Sequence, residues 1–148
     1  MVIRALGPED LDRHVSLRER LWPDQDPPHG DDLRALLTRP SFTALGAFDG
    51  PTLIGFAEAT IREYVDGVDG SPAAYLEGIY VDDAHRRKGV ATALVDAIAE
   101  LAARSGCEAV GSDALLEDVE SHAWHRSAGF AEIETVVRFS RPAMKAAV

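Results

Sequence analysis

The tract YLEGIYVDDAHRRKGVA, residues 75–91, has the order of parts that a phosphate site needs. A hydrophobic strand runs into a basic turn, and the turn opens a long amphipathic helix. Within the turn, Arg86-x-x-Gly89-x-Ala91 leaves small side chains where backbone N–H groups must approach a ligand closely. The first amides of a helix have no intrahelical acceptor and carry partial positive charge, so a pyrophosphate collects several donors there at once. No Gly-Lys-Ser or Gly-Lys-Thr follows, which excludes the nucleotide P-loop, and the three spaced glycines of the dinucleotide fingerprint are missing. Taken alone, the turn reads equally well as an ordinary strand-to-helix connection.

The elements that would position this turn are legible on either side of it. Residues 2–6 form a short strand stopped by Gly7-Pro8, and residues 9–21 a helix whose inward side carries Leu11, Val15 and Leu21. Trp22-Pro23 ends that helix, and the proline-rich stretch after it is irregular until Asp31 or Asp32 caps a second short helix through Leu37, apolar at Leu33, Leu36 and Leu37. Residues 42–48 and 53–61 are apolar runs joined by Asp49-Gly50-Pro51, a hairpin signal. A turn-rich loop, residues 66–72, leads to a strand at 73–81. From Val90, the positions Val90, Ala91, Leu94, Val95, Ile98 and Leu101 or Ala102 recur at helical spacing until Gly106. Residues 109–112 are a fifth strand, 118–128 a helix, 130–139 a final strand, and Arg141 onward a frayed tail. This is an α/β (α+β) order with mixed strand pairing, without repeat or linker.

A chain of 148 residues is expected to be one domain, residues 1–148. No apolar run approaches the roughly 20 residues that span a bilayer, and the N-terminus lacks a signal-peptide core, so the expectation is a cytoplasmic protein that engages no membrane. Cys107 is the one cysteine, which rules out an internal disulfide, and it reads as a small residue between helix and strand. A formal net charge of −10 argues against nucleic acid as a partner and favours a cationic small molecule. Asp24, Asp26, Asp31 and Asp32 crowd the irregular segment, whereas Arg86, Arg87 and Lys88 gather at the turn. No metal is expected.

The tract resembles the acyl-CoA-binding motif of the GNAT superfamily of N-acetyltransferases, matched at Arg86, Gly89 and Ala91. A second tract, SHAWHRSAGF at residues 121–130, resembles the helix and Gly-Phe turn that close the same site. The element order agrees over nearly the whole chain. The resemblance implies the GNAT fold, a mixed central sheet flanked by helices in which strands 4 and 5 splay apart to admit acyl-CoA. It implies acetyl-CoA as donor, held by Ile79, Tyr80 and Val81 on the strand and by Arg86, Arg87, Lys88, Gly89, Val90 and Ala91 at the turn. An acidic and a basic mouth suit a polyamine and a CoA. Where the superfamily has a tyrosine that protonates the departing thiolate, this chain has His125, and where it often has asparagine, Asp118. A histidine can donate such a hydrogen bond, but it is equally a residue with no chemical role.

A narrower resemblance, carried also by Leu21-Trp22-Pro23 and by GSDA at residues 111–114, is to the bacterial aminoglycoside 6′-N-acetyltransferases, enzymes of antibiotic resistance. It implies that Trp22, Tyr64, Glu77, Asp113 and Glu134 hold the substrate, with Glu132 open as the match in place of Glu134. A polycation losing hydration needs acidic partners. Glu77 or Asp113 would accept the proton of the attacking amine, directly or through water, and a backbone N–H near Val81 would meet the oxyanion. The subgroup's Ala-Ser-Asp-Thr is Gly-Ser-Asp-Ala here, a lost hydroxyl compatible with another polyamine as natural acceptor. Other acceptors, such as a different small amine or a protein N-terminus, and a non-catalytic acyl-CoA-binding module remain alternatives. The resemblance also implies a homodimer formed through the C-terminal strands.

Overall fold

The computed structural model describes residues 1–144, which fall into two compact units, Met1–Asp113 and the chain from Ala114 onward. In the first unit, β1 (Val2–Ala5), α1 (Leu11–Leu21), α2 (His29–Leu36), β2 (Phe42–Asp49), β3 (Thr52–Arg62), β4 (Ala73–Val81), α3 (Val90–Arg104) and β5 (Val110–Gly111) follow in that order. Short 3-10 turns at Pro8–Asp10 and Asp83–His85 lead into α1 and the basic turn. The five strands lie in sequence order in one mixed sheet, antiparallel from β1 to β4 and parallel between β4 and β5.

The sheet is covered on both faces. Leu17 of α1 and Leu33 of α2 bury against Phe42, Phe48 and Phe56 on one face. On the other, α3 buries Val90, Leu94, Val95, Ile98 and Ala102, with Ala102 and Cys107 packed on Ala74 of β4. Each fully buried leucine or isoleucine of that stripe contributes about 1.5–3 kcal/mol. Burial also pushes the Cys107 thiol up from its ordinary pKa.

Hairpin β2–β3 turns at Gly50, whose φ of +57° is the left-handed conformation that the Asp-Gly signal requires. Helix α3 ends before Gly106, which has a φ of +86°.

Four expectations change. The buried polar face of α1 consists of His14 and Arg18 beside Leu17, while Leu11, Val15 and Leu21 are only partly buried. Helix α2 starts two residues before Asp31, because Pro28, which has no N–H to leave unpaired, takes the cap position while Asp32 is drawn to Arg18. The fifth strand is limited to Val110–Gly111, since only Ala74↔Val110 and Tyr75↔Gly111 pair. No strand forms at residues 130–139: the second unit contains α4 (Val119–Ser127) and no strand to supply a ladder partner among the described residues. Residues 141–144 are irregular as well, and the remainder of the expected tail lies outside the described residues.

Candidate functional site

A single irregularity organises one side of the candidate site. Across β3 and β4, Ala59 pairs with Leu76 but Glu58 pairs with Gly78, so Glu77 is an extra residue in a β-bulge. Strict alternation would send Glu77 to the α3 face with Leu76's neighbours Ile79 and Val81. The bulge instead lets Tyr75 and Glu77 share the α1 face with Gly78 and Tyr80.

On that face, Thr60 Oγ1 donates to Glu77 Oε1 at 2.7 Å and Arg62 Nη2 donates to the same oxygen at 2.6 Å. The Arg62 guanidinium lies 4.2 Å from the centre of the Tyr75 ring, and the Tyr75 hydroxyl donates to Asp113 Oδ2. Glu77 and Asp113 are therefore ends of one chain of contacts. Trp22 closes the side nearest α1: its indole sits against Gly78, where a Cβ would stand 2.3 Å from Cη2, and meets Phe56 edge-on at 6.5 Å. Gly111 allows a similar approach, since a Cβ there would fall 2.8 Å from Val68. The subgroup's alanine at this position would strike that loop. Tyr64, two residues beyond β3, is two-thirds exposed at 66 %.

The other side of the candidate site is the edge of β4 turned away from β3. Past Tyr75 that edge pairs with no strand among the described residues. Asp82 N–H donates to Ile54 O at 2.8 Å, so alternation points the backbone of Tyr80 at β3 and those of Ile79 and Val81 at the open edge. Arg86 Nε donates to Val81 O at 3.0 Å, leaving the Val81 N–H as the donor directed outward. The Arg86 guanidinium also pairs with Asp83 at 3.0 Å and lies 5.3 Å from the Tyr80 ring centre. Tyr80 thus contributes to this side through its ring.

At the turn, Arg87 and Gly89 take left-handed conformations with φ of +62° and +79°. The start of α3 has no side-chain cap and no acidic residue in its first turn, so the amides of Val90 and Ala91 keep their donors for an anion. Arg87, Lys88 and Gly89 are exposed beside them. The chemistry of these donors fits a diphosphate.

In the second unit, Asp118 caps α4 by accepting the Ser121 N–H at 3.1 Å, a structural task that accounts for the acid at this position. His125 Nδ1 lies 2.7 Å from Ser121 O, and its ring packs edge-on against Trp124 and Phe130. A carbonyl only accepts, so Nδ1 carries the proton and Nε2 of the neutral ring is an acceptor; donation from Nε2 requires the imidazolium. Glu132 pairs with Arg126 at 3.2 Å, and Glu134 is exposed in the irregular stretch after α4.

Of the acidic mouth, Asp32 is bound by Arg18 and Gln25 and Asp31 by Arg34, so part of its charge is already matched. Among the described residues no group of three or more His, Cys, Asp or Glu side chains is placed to hold a metal ion. Sequence reasoning missed Thr60, Arg62 and Tyr75. Tyr75 stands two residues before Glu77, and Thr60 and Arg62 are polar positions ending an apolar strand, the signals that were available.

The sequence model of the acetyltransferase (GNAT) family matches residues 11–130, from α1 through the Gly-Phe turn after α4. This chain belongs to the GNAT family. Within it, the chain is 42 % identical over 142 residues to an aminoglycoside N(6′)-acetyltransferase type 1 from Acinetobacter haemolyticus, covering 95 % of this chain and 98 % of that protein. The Stenotrophomonas maltophilia protein of the same name is 40 % identical over 142 residues, covering 95 % and 92 %. Among solved GNAT structures, the apo aminoglycoside 6′-N-acetyltransferase AAC(6′)-IG from A. haemolyticus superposes with a TM-score of 0.92 at 41 % identity, over 97 % of this chain and 99 % of that one. AAC(6′)-Iy in complex with the bisubstrate analogue CoA-S-monomethyl-acetylneamine gives a TM-score of 0.90 at 34 % identity, over 96 % and 98 %.

Proposed function

We propose that this GNAT chain, acting as one domain, transfers the acetyl group of acetyl-CoA to the 6′-amine of aminoglycosides by direct attack of the amine on the thioester. The observation that carries the reading is the bulge at Glu77. It puts Glu77 on the side of β4 where Tyr75 reaches Asp113 and Trp22 lies against Gly78, while the neighbouring edge of the same strand pairs with no strand past Tyr75 among the described residues. The names of the GNAT relatives support the same acceptor.

Acetyl-CoA supplies the electrophilic acetyl thioester. Its diphosphate rests on the amides of Val90 and Ala91 beside Arg87 and Lys88, and Arg86 frames the end of β4. Both donors to Glu77 fall on Oε1, so the carboxylate turns Oε2 to a substrate ammonium. Asp113, oriented by the Tyr75 hydroxyl, accepts the proton released by the attacking amine, directly or through water. The Val81 N–H is the donor for the developing oxyanion. Trp22 and Tyr64 provide apolar walls for the sugar rings, and Glu134 is assigned to the substrate by the resemblance alone. The thiolate leaves as the tetrahedral intermediate collapses, and the resemblance alone assigns its proton donor to the position of His125.

Thiol release from acetyl-CoA across aminoglycosides that carry either an amine or a hydroxyl at the 6′ position tests this directly. Turnover restricted to the amine members is expected. Equal rates with both would defeat the regiochemistry and point to another polyamine.

The exposed apolar residues Ile133, Val136, Val137 and Phe139 suit association with a second copy through residues 130–144. Sedimentation should then give a dimer that Phe139→Asp weakens. No helix among the described residues is long and apolar enough to cross a membrane, in keeping with the cytoplasmic residence we propose. Fractionation of expressing cells checks it.

A further inference from the structure

Beneath Trp22 lies a cluster of buried polar side chains that the reaction as written does not use. His14, Arg18, Glu58 and His29 are 1 %, 3 %, 1 % and 5 % exposed. Arg18 forks onto Glu58 through Nε to Oε2 at 2.8 Å and Nη2 to Oε1 at 3.0 Å, and His14 Nε2 reaches the same Oε2 at 2.8 Å. The remaining Arg18 nitrogen, Nη1, lies 3.2 Å from His29 Nδ1 and 3.0 Å from Asp32 Oδ2. His29 Nε2 is 2.7 Å from the Trp22 carbonyl.

The protons can be assigned from chemistry alone. An arginine only donates, so His29 Nδ1 accepts; a carbonyl only accepts, so His29 Nε2 carries the hydrogen and donates to Trp22. The neutral ring has one donor and one acceptor, and both are used. The chain of bonds therefore runs without a break from Glu58 on β3, through Arg18 on α1 and His29 on α2, to the backbone of Trp22. Arg18 also reaches the indole itself, with its guanidinium carbon 5.0 Å from the ring. The Cζ2–Cη2 edge of the ring lies against Gly78, one residue from Glu77.

Taking a guanidinium and a carboxylate out of water costs several kcal/mol per ion, and well-packed apolar residues commonly serve a core as well. Stability is thus a poor reason for this cluster, whereas every branch that leaves Glu58 and Arg18 for the site converges on Trp22. We propose that Arg18 and His29 are positioning residues, fixing the Trp22 indole at a set height over Gly78 so that it serves as a rigid wall for the acceptor's sugar ring. A wall held from its backbone and its ring face discriminates acceptors by shape, and the network is then a determinant of acceptor specificity. This rests on the reading of Trp22 as a substrate contact.

The experiment compares Trp22→Ala, His29→Ala, His29→Gln and the Trp22→Ala/His29→Ala double variant by steady-state kinetics. His29→Ala should raise the aminoglycoside KM by about fivefold to tenfold, the scale of one lost buried hydrogen bond, with kcat and the acetyl-CoA KM within about twofold of the parent. His29→Gln, whose amide can still donate to the Trp22 carbonyl, should recover most of that loss. In the Trp22→Ala background the same His29 change should add nothing. An additive loss there, or an acetyl-CoA KM that moves equally, overturns the inference and leaves the proposed acceptor site standing. Trp22→Ala with an unchanged aminoglycoside KM removes Trp22 from the site and the inference with it. A second readout needs no substrate. In Trp124→Phe, whose one remaining tryptophan is Trp22, His29→Ala should make emission several-fold easier to quench with acrylamide. If His29→Ala does not fold, His29→Phe, which fills the same space and cannot donate to the Trp22 carbonyl, should increase quenching in that background, and unchanged quenching overturns the inference.

Discussion

Gly78→Ala is the smallest change that tests whether the indole stands where the site needs it. The added Cβ would lie 2.3 Å from Trp22 Cη2, 2.4 Å from Cζ2 and 3.2 Å from Leu21 Cδ2. Ordinary contact begins at 3.4 Å, so the ring must retreat by about 1 Å. Arg18 on its face and Phe56 at its edge restrict the retreat, and overpacking of this kind costs about 1–3 kcal/mol. For a chain of this size, that lowers the melting temperature by roughly 3 to 10 °C. A displacement of about 1 Å at a positioning contact can reduce turnover by about a hundredfold, so kcat/KM for an aminoglycoside should fall roughly tenfold to a hundredfold while the acetyl-CoA KM holds. Thermal melts and thiol-release kinetics measure the two effects. Trp22→Leu in the same background should restore the melting temperature, because the clash is gone, but not kcat/KM, because the wall is gone too. A Gly78→Ala protein with parental stability and kinetics would refute the placement of the ring.

Two further outcomes follow from contacts elsewhere in the first unit. Tyr75→Phe removes the donor to Asp113 but keeps the ring beneath Arg62, so kcat should drop by about threefold to tenfold with the acetyl-CoA KM unmoved; parental kcat would show that the hydroxyl does not orient Asp113 for proton transfer. Buried Asp10 accepts from Arg4, Arg13 and the Gly7 N–H, and the Arg4 bond above all lowers its pKa from 3.8 to about 2. The folded pKa lies below the unfolded one, so this stabilisation, up to about 2 kcal/mol and less in high salt, is complete above about pH 4 and is lost as pH falls toward 2. Asp10→Asn should flatten stability against pH across that window in denaturant titrations, and an unchanged slope would rule the carboxylate out as its source.

Much of the fold could be read because local signals agreed with tertiary ones. Asp49-Gly50 demands a left-handed turn and receives it, and the stripe from Val90 to Ala102 needs only one covering face. The 130–139 segment shows the limit: an apolar, β-prone run becomes a strand only against a partner edge, and its own unit offers none among the described residues. In α1 the apolar periodicity concealed His14 and Arg18, which are four apart and so share a side. The signal lay elsewhere, in Glu58, a lone carboxylate inside the apolar run of β3 that had to find cationic company. Of the proposed site, residue type alone was enough to nominate Gly89, Glu77, Asp113 and Trp22. Which way Glu77 points depends on the register of β3 against β4, information held by neither strand singly.

That register makes chain length matter more than side-chain chemistry at this point of the molecule. Glu77 is the one residue between Leu76 and Gly78, so a deletion there would restore regular pleating by taking away the acid itself while every neighbour kept its face. A relative one residue shorter here would keep the turn and the Gly-Phe motif and still lack a carboxylate on this face of the strand. Kinship to this activity is therefore better judged by counting residues across the kink than by matching letters on either side of it.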